Sequence, residues 1–223
     1  MTTPRPEHDD ARYAQVLSFP SARELARRLP LLALGLVLLG FGIAISVRAQ
    51  LGVAPWDVFH QGIAKLTGLS FGLVVVLTGL VVLVAWIPLR QRLGIGSVIN
   101  TLSLGFIADL GLYLLPAQHR LAVRIPMLAL SFLLTGVGAG LYIGSALGPG
   151  PRDGLMTAIT ARGHRLWIVR TILECSVLLV GVIFGGHVGV GTVLFAFAIG
   201  PIVNVALRRF HVPVHDPPEV LGE

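Results

Sequence analysis

The chain has 223 residues, 54% of them apolar or aromatic and only 13% charged, and its mean hydropathy is +0.82. A soluble domain of this size carries about a quarter charged residues to cover its surface, so a soluble enzyme and a disordered chain are excluded. The net charge of +6 comes from 17 basic residues dispersed at segment ends, not gathered in a stripe with aromatics, which excludes a nucleic-acid module.

In chain order, residues 1–28 form a basic tail, and the first apolar run covers 29–48. It is too long for the apolar core of a signal peptide and is read as a retained span. A short stretch follows at 56–66, holding Asp57, His60, Gln61 and Lys65. Further runs at 69–89, 97–116, 124–146, 166–186 and 190–208 are long enough, or nearly so, to cross about 30 Å of hydrocarbon at about 1.5 Å per residue. In lipid such spans must be helices, because every amide needs an internal partner. Pro30, Pro88, Pro116 and Pro126 fall near their ends and read as boundary markers. A second short stretch lies at 152–162, and residues 210–223 form a tail. At 11 residues each, the two short stretches are too short and polar to cross and are expected to be broken or re-entrant helices.

The expected fold is therefore all-α and polytopic, with six transmembrane helices, both tails in the cytoplasm and the bilayer as the first partner. With six crossings, twelve Arg and Lys residues fall inside, among them Arg90, Arg92, Arg162, Arg208 and Arg209, and four fall outside: Arg48, Lys65, Arg120 and Arg124. An eight-crossing arrangement gives the same tally, so charge fixes the cytoplasmic termini but not the crossing number.

The sequence repeats internally at an offset of 96 residues. In GFGIAISVRAQLGVAPWDVF at 40–59 and GVGAGLYIGSALGPGPRDGL at 136–155, six of twenty positions are identical, including Leu51/Leu147, Gly52/Gly148, Pro55/Pro151 and Asp57/Asp153. A second block pairs GIGSVINTLSLGFIAD at 94–109 with GVGTVLFAFAIGPIVN at 189–204. The halves are thus 29–120 and 121–209, each with three spans. An odd number of spans inserts them in opposite directions, the layout of many secondary transporters. It also puts the Asp57 turn near the outer face and the Asp153 turn near the inner face.

The strings LGVAPWDVFHQGIAKLTGLSFG, PLRQRLGIGSVIN, LYIGSALGPGPRDGLMTAI and VGVGTVLFAFAIGP resemble the YczE/YyaS/YitT-type integral membrane proteins of bacteria, over about residues 30–209. The resemblance implies a multi-pass protein of the bacterial inner membrane and carries no activity over to any residue.

Asp57 and Asp153 lead the candidate residues, since an ionisable group at membrane depth marks function by default. The competing reading makes each an N-cap. Arg152, beside Asp153, reads either as part of an anion site at a helix start or as a positive-inside anchor; its counterpart in the first half is Trp56. Arg170 and Glu174 lie four apart on one apolar span and are expected to pair facing the bundle. Asp109 and Asn100 are possible cavity groups, Asn100 equally an interhelical hydrogen bond. Gly136, Gly140 and Gly144, like Gly68/Gly72 and Gly181/Gly185, make small-xxx-small faces for helix packing, and a homo-oligomer through such faces is one expectation.

The histidines, including His60 and His187, lack zinc-ligand spacing, and no nucleotide loop, nucleophile elbow or metalloprotease motif occurs, so no metal, cofactor or enzymatic activity is expected. The reading that results is a permease-like transporter of a small solute. The alternative is a membrane accessory protein acting through a protein partner, which a bundle without a cavity would favour.

Overall fold

The structure, a computed structural model, describes residues 21–210 and is all-helical over them. Its helices are α1 (Ala22–Ala49), α2 (Pro55–Thr67), α3 (Phe71–Leu89), α4 (Ile95–Leu114), α5 (Leu121–Gly144), α6 (Pro151–Thr160), α7 (Leu166–Ile183) and α8 (Val190–Phe210). All but α2 and α6 are long and apolar enough to span a membrane, giving six candidate spans. Arg5, Arg12 and most of both tails lie outside the described residues.

α1 starts seven residues earlier than the apolar run. Ser21 accepts from the Glu24 amide at 3.3 Å while the Ser21 amide donates to Glu24 Oε2 at 2.9 Å, a capping box that fixes the start. Pro30 therefore sits inside the helix, as do Pro88 and Pro126 in α3 and α5, and only Pro116 lies outside a span. A proline in a span is tolerated because neighbouring groups re-satisfy the freed carbonyl. At the other end of α1, Arg124 donates from Nε to the Ala49 carbonyl at 2.6 Å and from Nη2 to that of Gln50, and Arg48 donates to the Leu112 carbonyl of α4. Cations on helix C-termini satisfy orphan carbonyls and offset the dipole.

At the centre α1 crosses α5. The crossing is tight because Gly35 and Gly138 meet: a Cβ on Gly35 would lie 2.8 Å from the Gly138 carbonyl oxygen. Lipid tails are as apolar as leucine, so close van der Waals fit holds such helices together. α4 packs on α1 and α8 on α5; α2 packs on α7 and α6 on α3; α2 also touches α3, as α6 touches α7. One pairing has no counterpart of similar extent. α3 is closely packed on α4 where Gly72 meets Gly105, whereas α7 and α8 are splayed. The Gly136 and Gly140 face is filled by Ile202 and Ala206 of α8, and Gly181 by the backbone of α2, so these small-residue faces are used within the chain.

Two turns fasten the halves to each other. The Gly96 amide donates to the Leu147 carbonyl at 2.8 Å, and the Gly191 amide donates to the Leu51 carbonyl at 2.7 Å. Gly52 and Gly148, next to those carbonyls, have φ of 110° and 127°, a region open to glycine and strained for other residues. A Cβ on Gly52 would lie 2.8 Å from Thr192 Oγ1, and one on Gly148 would lie 2.7 Å from Ser97 Oγ.

Candidate functional site

The two short helices begin inside the bundle. Pro151, the first residue of α6, rests against Gly79 near the middle of α3, and its carbonyl accepts the Trp86 indole N–H at 3.0 Å. Past the other end of α6, Arg162 donates to the Pro88 carbonyl at 3.3 Å, at the C-terminal end of α3. α6 thus runs from mid-bundle back to the end from which its chain entered. α2 does the same against α7: Trp56 lies with Val177, Phe59 meets Gly181, and the Gln61 carboxamide accepts the His187 amide at 3.0 Å beyond the helix end. Both short stretches are re-entrant, as their length and polarity predict.

This geometry corrects the expected separation of the two aspartates. Residues 50–54 and 145–150 carry the chain inward before either helix starts, so Asp57 and Asp153 line one cavity of about 100 Å³. The capping reading is corrected too. Pro55 and Pro151 open the helices, which makes Ala54 and Gly150 the N-caps and puts each aspartate third in its helix, and neither N-terminus has a side-chain cap. Asn100 and Arg152 also line the cavity, so four of the seven candidates converge. The other walls come from Leu39 and Ile43 of α1, Thr78 of α3, Thr101 of α4, Thr135 of α5 and Phe195 of α8.

Asp57 is 7% exposed, and its nearest charged or titratable neighbour is His60, with Nδ1 3.5 Å from Oδ1. His60 is enclosed by the rings of Trp56, Phe59 and Phe71, at centroid distances of 6.5, 5.9 and 5.9 Å. Asp153 lies 3.9 Å from the Arg152 guanidinium, both half-exposed. The two helix starts are therefore alike in backbone and unlike in charge. Among the described residues, four buried side-chain polar atoms make no hydrogen bond, and three belong to cavity residues: Trp56 Nε1, His60 Nδ1 and the Tyr142 hydroxyl. A buried unpaired polar group costs about 1–3 kcal/mol, so Trp56 Nε1 and the Tyr142 hydroxyl, unlike His60 Nδ1 beside Asp57, mark a place for a polar guest.

His60, Trp56 and Tyr142 were not among the sequence candidates. The spacing of His60 three residues after Asp57 was a usable signal, since it puts both on one helix face. Tyr142 has no local signature, because only the fold brings α5 to α6.

The remaining three candidates lie elsewhere. Asp109 accepts from Ser70 Oγ at 2.6 Å and from the Gly72 amide at 2.7 Å, tying α4 to the start of α3. Arg170 and Glu174 do pair, Nε to Oε1 at 2.9 Å, but on the outward side of α7, where the Arg170 side chain is 51% exposed. Expected to face the bundle, the pair is corrected to the periphery. Arg170 is one turn from the helix start, and a long basic side chain there reaches the headgroup level without an interior partner.

Six spans with two re-entrant helices meeting at an internal cavity define a polytopic helical membrane protein. Residues 26–208 match the family described as "Family of unknown function (DUF6198)", and the chain belongs to it. It is 38% identical over 192 residues to an "Uncharacterized protein" of Haemophilus influenzae (84% of this chain, 88% of that one). It is 33% identical over 191 residues to the "Uncharacterized membrane protein YczE" of Bacillus subtilis (84% and 88%), and 25% identical over 177 residues to the "Uncharacterized protein YyaS" of the same organism (77% and 88%). No solved structure matches.

Proposed function

We propose that the protein is a non-catalytic permease of the bacterial inner membrane that moves a small polar solute by alternating access, with both termini in the cytoplasm. The observation that carries this reading is the meeting of the α2 and α6 starts at one mostly apolar cavity that holds a few polar and charged groups. Discontinuous helices that begin at the midplane present free amides and dipole ends to a solute, and transporters place their sites there. The paired packing supports halves inverted about an axis in the membrane plane: α1 on α4 with α5 on α8, and α2 on α7 with α6 on α3. So do the reciprocal Leu51/Gly191 and Leu147/Gly96 bonds. The splayed α7 and α8, against the closed α3 and α4, give the halves the unequal packing that an access cycle exchanges. The cavity weighs against an accessory role.

The test is flux. Purified protein in proteoliposomes, screened with radiolabelled small amines, amino acids, organic acids and sugars under imposed ion gradients, is expected to take up at least one class. Protein that is folded and unidirectionally inserted, yet moves none of them beyond empty liposomes, sinks the proposal.

A further inference from the structure

We infer that the cavity takes a small solute bearing one ammonium group and, a few atoms away, a hydrogen-bond-accepting oxygen, with Asp57 as the ammonium's partner. This rests on the permease reading and names its solute class. Charge comes first. The lining carries two carboxylates, one guanidinium and one imidazole, and the guanidinium lies by Asp153 rather than Asp57. Asp57 is left, 7% exposed, without a basic side chain in ion-pair range apart from His60. A carboxylate at that depth is stabilised by positive charge beside it, and Asp57 has only the His60 ring at 3.5 Å, so an ammonium group is the guest it suits.

The unpaired atoms supply the second requirement. The Trp56 indole nitrogen only donates, and the Tyr142 hydroxyl, on a residue 2% exposed, is unpaired as well. The indole calls for an acceptor on the guest, which a bare cation does not have, and the hydroxyl can either donate or accept. The wall also disfavours a metal ion. Among the described residues no three His, Cys, Asp or Glu side chains cluster for one. Aromatic rings at Trp56 and Phe195 and aliphatic groups at Leu39 and Ile43 suit the carbon body of an organic amine, whose charge aromatic faces also attract. At about 100 Å³ the cavity is somewhat smaller than the engineered cavities of about 150 Å³ that hold benzene, which suits a solute of a few heavy atoms.

The experiment is thermal unfolding of the purified full chain in nanodiscs of phosphatidylglycerol at fixed ionic strength. The probes are 2-aminoethanol, propylamine, 1,2-propanediol, propionate and sodium chloride. Stabilisation that grows with 2-aminoethanol concentration is expected, with propylamine at least about tenfold weaker for want of the oxygen and the other three inert. Asp57→Asn is expected to abolish the response, Trp56→Phe to weaken it about tenfold, and Glu174→Gln, at the periphery, to keep it. Adding phosphatidylethanolamine to the nanodiscs tells a headgroup amine from a free one: competition with 2-aminoethanol assigns the ammonium to lipid, and no competition to a free solute. Should Asp57→Asn fail to fold, carbodiimide labelling of Asp57 in the unmodified protein, read by mass spectrometry, is expected to be blocked by 2-aminoethanol and not by propanediol. The inference is overturned if no amine stabilises, if propionate or propylamine equals 2-aminoethanol, if Asp57→Asn responds like the parent, or if labelling is unprotected. Binding without flux in proteoliposomes sinks the permease reading and leaves the site, whereas uptake of a non-amine that Asp57→Asn does not affect sinks the site and leaves the permease.

Discussion

Asp109 holds two donors, the Ser70 hydroxyl at 2.6 Å and the Gly72 amide at 2.7 Å, and so serves as a cap for α3 supplied by α4. Asp109→Ala leaves the Gly72 amide without an acceptor, while the Ser70 cap on the Leu73 amide stays, and a loss of about 1–3 kcal/mol in unfolding free energy in mixed micelles is expected, with amine binding unchanged. Glu174→Gln belongs to the opposite case. Its partner Arg170 is half-exposed and can turn to the interface, so a cost below about 1 kcal/mol is expected in the same assay. A loss of several kcal/mol would return the pair to an interior role. Asp57, Asp153, Asn100 and Arg152 were legible in the sequence because polar groups in apolar surroundings are conspicuous. What the sequence could not reveal is which of those groups share a space. Asp109 looks like the others on paper, and only the neighbouring helix start separates its work from theirs. Arg170 and Glu174 stand in a helix apolar on nearly every side, where no periodicity distinguishes the packed face from the lipid face.

Among the helices, the contrast between α3 with α4 and α7 with α8 is open to test. Gly105 lies so close to Gly72 that an added Cβ would sit 2.1 Å from the Gly72 carbonyl oxygen, while Gly200, its counterpart in the repeat, would meet nothing within 4 Å. Gly105→Ala is expected to force α3 from α4 at a cost of about 1–3 kcal/mol, and Gly200→Ala to stay within about 0.5 kcal/mol of the parent, both read from unfolding in mixed micelles. Equal effects would mean that α8 meets a partner where the structure leaves it open. The spans themselves were readable from apolar length, and the re-entrant helices from their shortness and charge. Their boundaries were less so. The start of α1 is set by the Ser21 and Glu24 box outside the apolar run, and the starts of α2 and α6 by prolines that precede the aspartates by two residues.

For the molecule as a whole, the decisive question is whether the halves run in opposite directions, because the proposed access cycle depends on it. Six crossings put positions 90 and 162 on one face and position 120 on the other. Eight crossings would put 90 and 162 on opposite faces, with 120 joining 162. The Arg162 guanidinium donates to the Pro88 carbonyl at 3.3 Å, which brings the end of α6 to the end of α3 and fits only the first arrangement. Positive charge cannot arbitrate, since it counts equally for both, but Arg208 and Arg209 at the end of α8 and Arg23, Arg27 and Arg28 at the start of α1 favour the proposed cytoplasmic termini. Single cysteines at Arg90, Arg120 and Arg162, in a background lacking the exposed Cys175, convert the question into labelling by an impermeant maleimide in intact cells. Position 120 is expected to label, and positions 90 and 162 only after the membrane is opened. Labelling of 90 in intact cells with 120 protected would make α2 a full crossing, set the two halves parallel, and take the start of α2 away from the start of α6.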